Sequence, residues 1–133
     1  MKLTPRPTRH GKALALAAAV LLGACGGGLY VEIGDDDDLD PVVELAVSST
    51  AAAGGATVRL VAAAADESGI DRVNFYRYDG NTAVRLGSDG TPAYEWQFVV
   101  PDDGRTSVSV FARAYDTWGN AGDSAPVTII VTP

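Results

Sequence analysis

Cys25 carries the only thiol in the 133-residue chain, and it follows Leu22-Gly23-Ala24 at the end of an apolar run from Ala13 to Leu22. A cysteine sulfur is nucleophilic enough to be alkylated, and the small residues Gly23 and Ala24 suit the narrow cleft of a signal peptidase. Upstream lie the other parts of a bacterial export signal: Lys2, Arg6, Arg9 and Lys12 with no acid among residues 1–12, then ten apolar residues. As a helix that run rises only about 15 Å, half of a bilayer's roughly 30 Å hydrocarbon core, so it reads as a targeting segment and not a permanent span.

With Leu22 at the third position before Cys25, the quartet resembles the lipobox of bacterial lipoproteins. The resemblance implies diacylglycerol on the Cys25 thiol, cleavage between Ala24 and Cys25, and N-acylation of the new terminus. Two or three acyl chains, at about 0.8 kcal/mol per buried methylene, hold a small domain on a membrane where one chain does not. The competing readings are an ordinary secretory signal that leaves Cys25 as a stray thiol, and an uncleaved signal anchor. Gly26 stands where an aspartate would favour inner-membrane retention, which resembles lipoproteins sorted to the outer membrane. The expected location is therefore the cell envelope, lipid-anchored, at the outer membrane in a Gram-negative cell.

Removal of residues 1–24 would leave 109 residues with six arginines against seventeen acids, a formal charge of −11. So acidic a chain has no basic patch with which to release counterions from phosphates, and nucleic acid is an unfavourable partner. His10, Lys2 and Lys12 would leave with the signal. No Ser-His-Asp or Cys-His arrangement can then be assembled, no lysine can form a Schiff base, and zinc lacks its nitrogen and sulfur ligands. Carboxylate chemistry alone stays open, as glycoside hydrolysis or calcium binding. Asp102-Asp103 before Gly104 reads as a turn, Glu95 as an outward strand residue, and no acid stands in an apolar stretch of sequence. The chain is accordingly expected not to be an enzyme.

Two sets of residues offer binding chemistry. Asp66-x-x-Gly69 and Asp116-x-x-Gly119 each follow an alanine-rich strand end and read as one turn used twice, with aspartate accepting from the amide two residues on and glycine taking a positive φ. Alternatively, Asp66, Glu67, Asp71 and Asp116 supply oxygen ligands for calcium. Tyr76, Tyr78, Phe111 and Tyr115 fall on positions that alternate away from the expected core, and Trp118 falls in a loop. Such rings can pair across strands or form a sugar platform, with Trp118, Tyr76 and Tyr78 as the candidate ligand contacts.

The elements that carry these residues follow a simple plan. Residues 25–40 combine Gly26-Gly27-Gly28, a short apolar Leu29–Ile33 and Asp35–Asp38 into a solvated linker, able to span about 50 Å if pulled straight. From Pro41 the pattern has period two: Val43, Leu45, Val47; Val58, Leu60, Ala62, Ala64; Val73, Phe75; a short Ala83–Leu86; Tyr94, Trp96, Phe98, Val100; Val108, Val110, Ala112, Ala114; and Val127, Ile129, Val131. Asp79-Gly80-Asn81, Gly87–Gly90 and Asp102-Asp103-Gly104 read as turns. About seven short strands at this spacing predict an all-β, two-sheet antiparallel sandwich over 41–133.

Pro41-Val42-Val43, Val58-x-Leu60, Ala65-Asp66-x-x-Gly69-Ile70-x-x-Val73-x-Phe75-Tyr76, Pro92-Ala93-Tyr94 and Ala112-x-Ala114-x-Asp116-x-x-Gly119-Asn120, in that order, resemble a bacterial immunoglobulin-like domain. The resemblance implies an Ig-like sandwich without the core cysteine pair of antibody domains. It also implies a binding or structural module that engages a protein or polysaccharide through loops, sheet faces or a strand edge, with calcium or carbohydrate capture as the rival role.

Overall fold

Alternating apolar and polar residues favour extended backbone because successive side chains then point to opposite faces, and residues 40–133 form one unit built in this way. The computed structural model describes residues 39–133; the expected signal segment, Cys25 and the linker as far as Asp38 lie outside the described residues. The strands are β1 (Val42–Val47), β2 (Ala51–Ala53), β3 (Thr57–Ala65), β4 (Ile70–Asp79), β5 (Thr82–Asp89), β6 (Tyr94–Val99), β7 (Ser107–Asp116), β8 (Ala121–Asp123) and β9 (Val127–Thr132).

They form a three-stranded sheet, β1-β3-β6, and a larger sheet ordered β2-β9-β7-β4-β5, in which β8 extends the β9 side of β7. All pairings are antiparallel except that of β2 with β9. The chain therefore changes sheets between β1 and β2. Serines make that crossing possible: Ser48 Oγ accepts from the Arg59 amide at 2.9 Å, and Ser49 Oγ donates to the Ala51 carbonyl at 2.6 Å. Hydroxyls thus satisfy backbone groups where the ladder breaks.

The inward rows meet between the sheets. Val58, Leu60 and Phe98 on one side, and Val73, Phe75, Val110 and Ile129 on the other, are all but completely buried. Ala62, Ala112 and Ala114 are buried among them, where their short side chains let the larger ones interdigitate. Burying a side chain the size of Phe75 contributes about 1.5–3 kcal/mol, and a core without disulfides rests on such terms.

The sandwich is the one expected from the sequence, with nine strands instead of seven. β2 and β8 are the additions, each three residues long. Gly87-Ser88-Asp89 lies inside β5 and not in a turn. The reason is packing: a Cβ on Gly87 would overlap the six-membered ring of Trp96, so the glycine serves a close approach between sheets.

Asp40-Pro41 leads into β1 at the proximal end, which also holds the β3–β4, β5–β6 and β7–β8 connections. The β2–β3, β4–β5 and β6–β7 connections and the end of β9 lie at the opposite, distal end.

Candidate functional site

At the proximal end the two Asp-x-x-Gly sequences adopt one geometry. Gly69 and Gly119 have φ of 94° and 92°, and their amides donate to the carbonyls of Asp66 and Asp116 at 3.1 and 3.2 Å. Each aspartate also accepts from the amide two residues on, Ser68 at 3.0 Å and Trp118 at 2.8 Å. Thr117 joins the pair, donating its hydroxyl to the Ser68 carbonyl and its amide to that of Gly69.

The turns differ in burial. Asp116 continues the inward parity of β7 and is only 2% exposed, a burial that the sequence reading did not assign to it. Its carboxylate accepts from the Trp118 amide, the Asn120 amide and Asn120 Nδ2, each at 2.8 Å. Asp66 is half-buried, and among the described residues its carboxylate accepts from Ser68, through the amide and the hydroxyl. Asp71 pairs with Arg72 at 2.6 Å, and Glu67 is exposed. The four calcium candidates are not brought together: among the described residues no three acidic, histidine or cysteine side chains form a group that could hold a metal.

The outward aromatics of the larger sheet pair across strands. Tyr76 stands opposite Phe111, with ring centroids 4.9 Å apart and planes within 8°, and Tyr78 stacks on the same Phe111 at 5.1 Å. Phe111 is buried although it faces outward, because the two tyrosines close over it. Arg113 lies 5.5 Å from the Tyr76 ring and forms a two-pronged ion pair with Asp123, while Arg72 covers Tyr115 at 4.0 Å. Trp118 is 53% exposed and sits beyond the end of β7, about five strand residues or roughly 16 Å along from Phe111. The three expected sugar contacts therefore do not form one platform; Tyr76 and Tyr78 belong together and Trp118 stands apart.

The distal end holds a constellation that the sequence reading passed over. Arg105, from the β6–β7 connection, donates Nη1 to Asp79 Oδ1 at 3.0 Å and Nη2 to Asp103 Oδ2 at 2.6 Å. Its Nε also reaches Asp103 Oδ1 at 2.9 Å, and Arg77 Nη2 donates to Asp79 Oδ2 at 3.1 Å. Through the hydrogen bonds of Arg105, Asp103 is lowered from 3.8 to about 2. Asp79 is lowered by Arg105 first and then Arg77, and the guanidinium of Arg105 is held yet more firmly protonated. Beside this network opens a depression of about 610 Å³, bounded by Tyr78, Asp79, Gly80, Asp103, Arg105 and Ser107. Asp79-Gly80 and Asp103-Gly104 were legible only as turns. The spacing of Arg77 with Asp79 and of Asp103 with Arg105, two residues apart, was the available signal.

A family model described as bacterial Ig domain matches residues 41–110, from the start of β1 to the middle of β7. Among solved structures, the fibronectin(III)-like modules of Clostridium thermocellum CbhA align at TM-score 0.56 with 18% identity, covering 68% of this chain and 94% of that one. An engineered protein aligns at TM-score 0.50 with 17% identity, over 71% of this chain and 20% of that one. The SrpA adhesin of Streptococcus sanguinis aligns at TM-score 0.37 with 13% identity, over 68% and 58% of the respective chains. No curated protein sequence matches.

Proposed function

Because the chain belongs to the bacterial Ig domain family, we propose that it is a lipid-anchored protein of the cell envelope whose sandwich is a non-catalytic binding module. Residues 1–24 are its signal peptide, Cys25 its lipidated terminus, and residues 25–40 the tether. The observation that carries the reading is the arrangement of ends within the domain: the chain enters it at Asp40-Pro41 on the proximal end, and the polar depression lies at the distal one.

The chemistry of the domain supports a role without catalysis. Residues 39–133 contain no histidine, lysine or cysteine. The two carboxylates that share Arg105 are both held below the ordinary range, whereas glycoside hydrolysis needs one acid kept protonated near neutral pH. A strongly acidic tether and domain also favour a neutral or basic partner over nucleic acid.

Metabolic labelling with an alkyne analogue of palmitate, followed by membrane fractionation, tests the anchor. The parent protein should incorporate label and sediment with envelope membranes; Cys25→Ala should do neither. Equal labelling of the two would remove the lipoprotein reading.

A further inference from the structure

We propose that the distal depression binds an uncharged saccharide, with Tyr78 as the stacking surface, Asp79 and Arg105 as hydrogen-bonding partners and Asp103 as the residue that positions Arg105; this rests on the reading of the domain as a binding module. The depression is shallow and open to solvent, with about 610 Å³ of space, which suits a ligand that lies along a surface more than one enclosed by it.

The charges decide the ligand class. Asp79 and Asp103 are balanced by Arg77 and Arg105, so the cluster is formally neutral. A metal ion would meet the Arg105 guanidinium between the two carboxylates, and an anion would compete with both acids for the same guanidinium. A polyhydroxyl compound meets neither obstacle. Each oxygen of Asp79 keeps a lone pair beyond the one used by arginine, whereas those of Asp103 already accept from the Arg105 amide, Nε and Nη2 and so hold that guanidinium in place; Arg105 has side-chain N–H groups beyond the three that donate here. Vicinal hydroxyls, each donor and acceptor at once, match that mixture. Ser107 adds an exposed hydroxyl on the rim.

Tyr78 supplies the apolar component. The residue is 36% exposed, its ring is braced by Phe111 at 5.1 Å, and it borders the depression next to Asp79 in sequence. The C–H face of a pyranose can stack on such a ring while its edge hydroxyls reach Asp79 and Arg105. The rim is kept low by Gly80 and Gly104, at φ of 64° and 88°, beside which a Cβ would meet nothing within 4 Å. By contrast, Trp118 is more exposed, and among the described residues the linked ion pairs of Arg77, Asp79, Asp103 and Arg105 lie at the other end of the sandwich.

The test is a titration of the ¹⁵N-labelled full chain in detergent micelles with maltotetraose, cellotetraose, chitotetraose and, as acidic control, an oligogalacturonate. At least one neutral tetrasaccharide should shift the amides of residues 78–80 and 103–107, with a Kd of about 1 mM or tighter. Tyr78→Ala and Asp103→Asn should each weaken it by about tenfold, and Trp118→Ala should leave it unchanged. Asp103 is half exposed, so its variant folds even if Tyr78→Ala does not. No shift from any neutral sugar at about 10 mM, preference for the oligogalacturonate, or shifts clustered at Trp118 would each overturn the proposal. Loss of sugar binding with retained capture of a protein partner would overturn the saccharide site while sparing the binding module.

Discussion

The twin proximal turns allow a controlled comparison, because Asp66 and Asp116 share backbone geometry and differ in burial. Asp116→Ala removes three hydrogen bonds of 2.8 Å from a side chain that is 2% exposed. Hydrogen bonds to a carboxylate contribute about 1.5–3 kcal/mol each, but water can partly replace it at the two loop amides, so the expected loss is about 3 kcal/mol. Asp66→Ala removes two bonds, both to Ser68, from a half-buried side chain, with an expected loss of about 1 kcal/mol. Urea unfolding followed by circular dichroism measures both. With a slope of about 1.5 kcal/mol per molar, the midpoint should fall by about 2 M for Asp116→Ala and by less than 1 M for Asp66→Ala. Asp116→Asn should fall between, since its amide would oppose Nδ2 of Asn120 donor to donor. Equal losses for the two alanine variants, or a loss below about 1 kcal/mol at Asp116, would show that burial does not set the strength of these caps.

Gly87→Ala places a methyl group inside the Trp96 ring and should cost about 2–3 kcal/mol, with a red-shifted Trp96 emission; an unchanged melting midpoint would show that the sheets can part there. Asp103 has a folded pKa of about 2 against an ordinary 3.8, so its contribution is present above about pH 4 and is lost as pH falls toward 2. Asp103→Asn should therefore melt below the parent at neutral pH and converge with it in acid, and a gap that persists to pH 2 would remove the ion pair as its cause. Melting with calcium and then with chelator should give the same midpoint, since Asp66, Asp71 and Asp116 are engaged in hydrogen bonds and an ion pair and the candidate acids are not grouped; a rise with calcium would restore the metal reading.

The long strands were legible because a sandwich core imposes period two, and Val58, Leu60, Val73, Phe75, Val108 and Val110 all landed inside. β2 was not legible: Ala51–Ala53 has no polar contrast, and its place beside β9 is a tertiary contact. β8 was missed for a related reason. Ala121-Gly122-Asp123 has little strand preference and pairs because β7 continues past the start of β9 at Val127, leaving Arg113–Tyr115 open. Parity also assigns a face and not a burial, as Phe111 shows beneath Tyr76 and Tyr78. For Asp116 the signal was present, since it continues the row Val108, Val110, Ala112, Ala114, but its identity as an acid pointed outward. The distal site was the least legible part. It joins Asp79 to Arg105 across 26 residues, and only the folded sandwich brings those two turns together.

The central claim is that Cys25 becomes the lipidated first residue of a tethered domain. Its most direct test is the intact mass and amino-terminal fragment map of the protein extracted from membranes in detergent. The expected species begins at Cys25, has lost residues 1–24, and carries diacylglycerol on the sulfur with an acyl group on the amine. A chain that begins at another residue, or one with an unmodified Cys25 thiol, would contradict the claim.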